Sequence, residues 1–172
     1  MTQLTQFSSY ADAQAHCSAA ALWDLFDGDR ERLNIAHECI DRHVGSGRDA
    51  VVLVRAEGQD EVLGFAAIAE ASSRFAHHLV ARGVRPGDRV AVMLEPSLAF
   101  YAAIFGAIKM GAIAVPLFTL FGPDGVRLRV ADCRPRIVVT NPEKAAAVPA
   151  QDGLEVLIAD AAFLADLRGY PA

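Results

Sequence analysis

GVRPGDRVAVMLEPSLAFYAAIFGAIKMGAIAVPL, residues Gly83–Leu117, reads as turn, strand, turn, helix, turn, strand. Pro86-Gly87 is a turn pair: proline presets φ at the first turn position and glycine accepts φ > 0 at the second. Arg89–Leu94 is short, apolar and valine-rich, the pattern of a strand covered on both faces. Pro96 ends it. Ser97 is placed to cap a helix over Leu98–Lys109 by accepting a bond from an early backbone N–H. Gly111 supplies a left-handed stop, and Ala112–Val115 returns as a second strand closed by Pro116. A strand-helix-strand unit of this length is a crossover between parallel strands.

Outward from this unit the pattern continues. Strand Arg136–Thr140 follows a helix that starts at Pro123-Asp124 and runs to about Asp132. Asn141-Pro142-Glu143 is another cap-proline-acid start, and Leu154–Ala159 a further strand, after which Asp160 opens a helix to about Leu167. Upstream, Ala50–Arg55 and Glu61–Phe65 flank a glycine-containing loop and predict a hairpin. Apolar residues from Phe65 to Leu79 recur at helical spacing until Gly83. Leu33, Ile35, Ala36, Cys39, Ile40 and Val44 recur at intervals of three and four, which predicts one amphipathic helix over Arg32–Val44. Ala19–Phe26 is a short helix candidate in which Trp23 is a packing anchor. The class is therefore α/β, a parallel or mixed sheet with flanking helices. Residues 1–45 are expected to form a helical lead-in and residues 46–172 an α/β subdomain that is incomplete without following chain.

The Gly83–Leu117 stretch also resembles the AMP-dependent synthetase and ligase family, the adenylate-forming acyl-CoA synthetases. Lys109, Gly111, Ala112, Val115, Pro116 and Leu117 match the family's K-x-GA-x-x-(V/L)P-L element. LNIAHECIDRH (Leu33–His43) resembles the acetyl and medium-chain branch, and PLFTLFGPDGVRLRVADCRPRIVVT carries the likeness to Thr140. Gly64–Ile68 departs mildly from the family's first core motif. The resemblance implies the first part of the large N-terminal domain of such an enzyme. The complete enzyme would join a small carboxylic acid to CoA through an acyl-AMP, using ATP and Mg²⁺. Lys109, Gly111 and Pro116 are structural in this reading: Lys109 complements the negative helix end and Gly111 makes the turn.

Bulk properties bound the alternatives. The net charge of −5 and a pI near 5.5 argue against a nucleic-acid partner. Cys17, Cys39 and Cys133 show no metal-type spacing, so neither a disulfide framework nor a zinc site is expected, and free thiols suit a cytoplasmic protein. No signal peptide is visible. The most apolar window, Leu98–Phe121, is interrupted by Lys109, Gly111 and Pro116, so no membrane partner is expected. The apolar fraction of 53% exceeds that of an average soluble domain, so self-association through an exposed sheet edge is expected.

Chemistry-bearing constellations are sparse. Neither G-x-x-x-x-G-K-(S/T) nor a strand-following G-x-G-x-x-G is present, and no Ser/Thr/Gly-rich loop ends in lysine. Cys39 and His43 share a helix face with His37 nearby. Two ligands at that spacing fall short of a metal site, and a buried Cys39 with a pairing His43 is the simpler reading. His77 and His78 diverge by about 100° on a helix. Cys133 sits beside Arg134 and Arg136, which would lower its pKa, but lacks a partnered histidine. Ser97 is a cap rather than a nucleophile. Arg127, Arg129, Arg134 and Arg136 form a solvated helix face, or else cations for CoA phosphates. By the resemblance, Lys144 is a further CoA-phosphate candidate, although no R-x-x-R follows Thr140. No catalytic residue is expected and the chain should be inactive alone. The alternative is a stand-alone α/β binding or interaction module without catalysis.

Overall fold

The computed structural model describes residues 3–172, which form two compact units divided between Asn34 and Ile35. The first holds a 3-10 turn (Leu4–Gln6) and two short helices, α1 (Tyr10–Ala15) and α2 (Ala19–Trp23). Ser9 and Ser18 cap them by accepting from the backbone N–H of Asp12 and Ala21, each at 3.1 Å. Neither helix buries a residue. Trp23 is half-buried, with Phe26 edge-on at 5.7 Å and the Arg30 guanidinium over its ring at 5.8 Å. The helix expected to reach Phe26 therefore stops at Trp23.

The second unit runs α3 (Ile35–Cys39), a 3-10 turn (Asp41–His43), β1 (Asp49–Leu53), β2 (Glu61–Gly64), α4 (Phe65–Ala81), β3 (Arg89–Met93) and α5 (Leu98–Lys109). It continues with β4 (Ile113–Pro116), α6 (Pro123–Cys133), β5 (Ile137–Thr140), α7 (Pro142–Ala145), β6 (Glu155–Ile158) and α8 (Phe163–Asp166), and ends in a 3-10 turn (Leu167–Gly169). β1 and β2 are the expected antiparallel hairpin. The other four strands form a parallel sheet in the order β4-β3-β5-β6.

Local chemistry sets these boundaries. In the Arg85–Asp88 turn the Asp88 N–H donates to the Arg85 carbonyl at 3.0 Å, with Gly87 at φ +86° as the pair Pro86-Gly87 requires. Ser97 Oγ accepts from the Phe100 N–H at 3.2 Å and starts α5. Helices α4 and α5 end alike. Gly83 donates to the Val80 carbonyl and Val84 to that of Leu79, while Gly111 donates to Ile108 and Ala112 to Ala107. Both are Schellman closures, which satisfy carbonyls that the helix leaves open.

The sheet is covered on both sides. On one face Val90, Val92, Ile137 and Val139 pack with Phe75 and Leu79 of α4, Ala103 and Ala107 of α5, and Phe163 and Leu167. On the other, Ala91, Met93 and Val138 pack with Val126 and Val130 of α6. For this reason the valine-rich β3 and β5 are apolar on both faces, over Val90–Met93 and Ile137–Val139. A third cluster, Ile40, Leu53, Leu63 and Ile68, sets the hairpin against α4 and α5. β4 and β6 are the sheet edges, where Ile113, Val156 and Ile158 are exposed.

Residues 32–44 correct the expected amphipathic helix. Helix α3 is only five residues long and breaks at Ile40 (φ −124°, ψ −64°). The buried positions are Ala36, Glu38 and Ile40, while Ile35, Cys39 and Val44 are exposed. Cys39 is thus not the buried thiol the spacing implied. Polar bonds displace the pattern: Glu38 is buried because its carboxylate meets Arg42 Nη1 at 2.5 Å. The helix expected to run to Leu167 is likewise short. Asp160 Oδ1 accepts from the N–H of Ala162 and Phe163, and α8 passes into a 3-10 turn after Asp166.

His78 is a buried titratable group in α4. It stacks on Phe75 (5.8 Å) and meets Tyr170 edge-on (5.0 Å), its Nδ1 lies 3.1 Å from Arg82 Nη1, and its buried Nε2 has no partner. Burial, and then the Arg82 charge, push its pKa from 6.5 down to about 4, with Glu155 and Asp166 opposing weakly. Between those values the unfolded chain binds more protons than the folded one. Stability is complete above about pH 6.5 and falls as pH drops towards 4. Urea unfolding at pH 4.5 should show a loss of about 2 kcal/mol relative to pH 7.5. The His78→Phe variant should lose markedly less, and an equal loss in that variant would assign the effect elsewhere.

Candidate functional site

The chain passes from β3 to β4 on one side and then to β5 on the other, so the sheet order reverses between β3 and β5. In open parallel sheets the crevice outside the carboxyl ends at such a reversal is where ligands bind. Four segments emerge there: Leu94–Ser97 after β3, Leu117–Phe121 after β4, Thr140-Asn141 at the end of β5, and Ala159-Asp160 after β6.

Hydrogen bonds fix these segments. Thr140 Oγ1 donates to the Met93 carbonyl at 3.1 Å, joining the two central strands at the reversal. The buried Thr119 donates a short bond to the Glu95 carboxylate, tying the β4 loop to the β3 loop. Ser97 Oγ donates to the Glu95 carbonyl at 3.1 Å while capping α5. Asn141 Oδ1 accepts from the Lys144 N–H at 2.9 Å and starts α7, which carries the half-buried Lys144 just beyond the β5 end. Phe118 and Leu120 are 60% and 75% exposed, an apolar pair in a loop otherwise held down by polar bonds. Beside Glu95, an open groove of about 570 Å³ is lined by Val51–Ala56, Pro96 and Tyr101. The arrangement supplies a fixed carboxylate, hydroxyls, a lysine and exposed apolar side chains. That set can bind, but it contains no paired nucleophile and base.

The remaining sequence candidates disperse. The four arginines do not converge: Arg127 pairs with Asp124 (2.9 Å), Arg129 lies 3.6 Å over the Phe121 ring, Arg134 adopts the left-handed cap (φ 45°) and Arg136 donates to the Arg82 carbonyl. The Cys133 pKa is raised, chiefly by burial, with Arg89 opposing. The lowering expected from Arg134 and Arg136 is therefore corrected. His43 packs on Phe65 (5.1 Å) and its Nδ1 lies 3.3 Å from Arg48 Nη2. His77 is exposed where His78 is buried. Among the described residues no group of three His, Cys, Asp or Glu could hold a metal, and no helix is long and apolar enough to cross a membrane. Lys109 does more than complement a helix end: its ammonium donates to the Ala69 carbonyl and Ser73 Oγ (3.0 Å each) and pairs with Asp41 at 2.7 Å. Glu95 and Thr119 escaped the sequence reading. The available signal was their position in the loops that follow predicted parallel strands.

Comparison with known proteins agrees with this architecture. The family model described as AMP-binding enzyme matches residues 40–169. The acetyl-coenzyme A synthetase of Bacillus subtilis is 38% identical over 121 residues, covering 69% of this chain and 21% of that protein. That of Halorhodospira halophila is 33% identical over 130 residues, covering 70% and 20%. The crystal structure of a Brucella canis acyl-CoA synthetase superposes with a TM-score of 0.81 at 27% identity, covering 96% of this chain and 34% of that one. The chain spans about a fifth of the length of the curated relatives it matches.

Proposed function

The chain belongs to the AMP-binding enzyme family, and from that premise we propose that it forms the opening part of the large N-terminal domain of an acyl-CoA synthetase. The whole protein would join a small carboxylic acid to CoA through an acyl-AMP, at the expense of ATP, in the cytoplasm. The match across residues 40–169 carries this reading and disfavours a stand-alone binding module. What these residues contribute is scaffold: the central strands, the two helices on one face, and the ordered carboxyl end of the sheet.

The residues present do not fit Mg-ATP. The sequence has no phosphate loop, and the described residues offer no cluster of carboxylates for a divalent ion. No adenylation step is therefore assigned to them. They fit CoA better. Lys144, half-buried beyond β5, would answer a CoA phosphate with a charge-assisted bond, and exposed Phe118 would offer a face for its adenine.

The test is to graft this chain in place of the matching segment of the Bacillus subtilis relative. The chimera should catalyse acid-dependent ATP–pyrophosphate exchange. Within it, Lys144→Ala should raise the KM for CoA roughly three- to tenfold, the worth of one charge-assisted bond, and leave exchange unchanged. A folded chimera without exchange would contradict the scaffold assignment. An unchanged KM would remove Lys144 alone.

A further inference from the structure

Among the described residues, four strands have an edge that no other strand pairs: β1 and β2 of the hairpin, and β4 and β6 of the parallel sheet. The open N–H and C=O groups of such an edge template pairing with another chain, so folded proteins blunt it with charge, proline or cover. Three of the four carry such a device. β2 opens on Glu61, β6 opens on Glu155, which meets Arg82 at 2.9 Å, and β4 closes on Pro116. β1 differs. From Ala50 to Val54 it presents five consecutive apolar residues, with Val52 51% and Val54 78% exposed. Its one irregularity is a bulge at the far end, between Asp49 and Val51.

The groove of about 570 Å³ beside Glu95 runs along this edge. One side of it is the run of residues 51–56, with nothing from β2, and Pro96 and Tyr101 form the other. Successive residues of a strand point to opposite faces, so a groove that touches each of them follows the backbone edge. Leu53 and Leu63 pack towards α4 and α5, while the cross-strand pair Val52 and Val62 is exposed on the opposite face. The hairpin thus has one covered face, one bare valine face and one bare edge.

The strand is also complementary to itself. Antiparallel pairing of two β1 strands about Val52 sets Val52 against Val52, Val51 against Leu53, Ala50 against Val54 and Asp49 against Arg55. Opposite charges then close both ends of an apolar centre. Parallel pairing in register would instead set aspartate on aspartate and arginine on arginine, and a one-residue slip would turn the valine face over. Asp49 and Arg55 are both exposed, and an arginine side chain reaches a diagonal neighbour across the offset a bulge introduces. Arg55 already meets Glu61 of its own hairpin at 2.5 Å, and its guanidinium fork has further donors for a second carboxylate.

We propose that this edge is an interface between two copies of the chain, which pair β1 to β1 antiparallel about Val52 and join their hairpins into one continuous sheet. A two-fold axis through Val52 generates both ion pairs at once and closes the assembly as a dimer. The edges of the parallel sheet take no part, and the pairing is independent of the acyl-CoA synthetase reading.

The test is sedimentation equilibrium of the 172-residue chain. The apparent mass should rise with concentration from 18.4 kDa towards twice that value, with a dissociation constant in the micromolar range of a small interface. Asp49→Arg and Arg55→Asp should each weaken self-association at least roughly tenfold, because each sets like charges opposite one another at both ends. Mixed in equal amounts, the two variants should associate as tightly as the unaltered chain, since the mixed dimer restores both ion pairs. Val52→Lys, at an exposed position, should keep its circular dichroism spectrum and remain monomeric. Three results would overturn the proposal: a monomer up to about 1 mM, no recovery when the two charge variants are mixed, or undiminished association in folded Val52→Lys.

Discussion

Replacing Gly106 with valine is expected to cost about 3 kcal/mol or more, the largest effect of any single substitution considered for this fold. Gly106 lies where α5 crosses α4. A Cβ there would stand 2.7 Å from the Ser72 carbonyl oxygen, 2.9 Å from Phe75 Cδ1 and 3.0 Å from Phe75 Cβ. None of these atoms can give way. The Ser72 carbonyl belongs to a helix whose residues are pinned by Ser72 Oγ donating to the Ile68 carbonyl at 2.6 Å. Phe75 is fully buried and packs on Phe163 at 5.8 Å. The two helices must therefore separate, and the core on that face of the sheet opens with them. Gly106→Ala adds only the Cβ and gains about 1 kcal/mol of helix propensity, yet should still be destabilised. Urea unfolding midpoints measure both. A wild-type midpoint in Gly106→Val would mean that α4 and α5 do not cross there.

Lys109→Met should cost about 2–3 kcal/mol, the next largest effect. The methionine keeps most of the buried stem, so packing changes little. What is lost is one ammonium that serves the Ala69 carbonyl, Ser73 Oγ and the Asp41 carboxylate, on a side chain only 13% exposed. Asp41 would then keep its charge without this partner. Adding Asp41→Asn should recover part of the loss, and the double-mutant cycle isolates that coupling. Additive losses would show that Lys109 acts mainly through α4.

Punctuation residues made most of the parallel sheet legible. Ser97, Gly83, Gly111 and Asn141 act through their own backbone neighbourhoods, so their roles follow from residue type and spacing alone. Burial depends on partners far along the chain, and there the reading failed. Glu38 is interior, where its carboxylate meets Arg42, so residues 32–44 bury Ala36 and Ile40 as the spacing implied but leave Ile35, Cys39 and Val44 in solvent. Lys109 looked like a helix-end charge because its acceptors lie about 40 and 68 residues upstream. Cys133 has arginines beside it in sequence, but the left-handed backbone at Arg134 turns the chain, and burial decides the thiol. The candidate site was half visible. Lys144 follows a predicted strand, whereas the Glu95–Thr119 bond spans two loops and could not be inferred from either one.

The central claim is that these residues carry the platform of an acyl-CoA synthetase and not its adenylating chemistry. Acid-dependent ATP–pyrophosphate exchange, measured on the purified 172-residue chain with a panel of short and medium carboxylic acids, tests it most directly. The account predicts exchange no faster than the protein-free blank for every acid. Exchange that depends on both the chain and an added acid would contradict it.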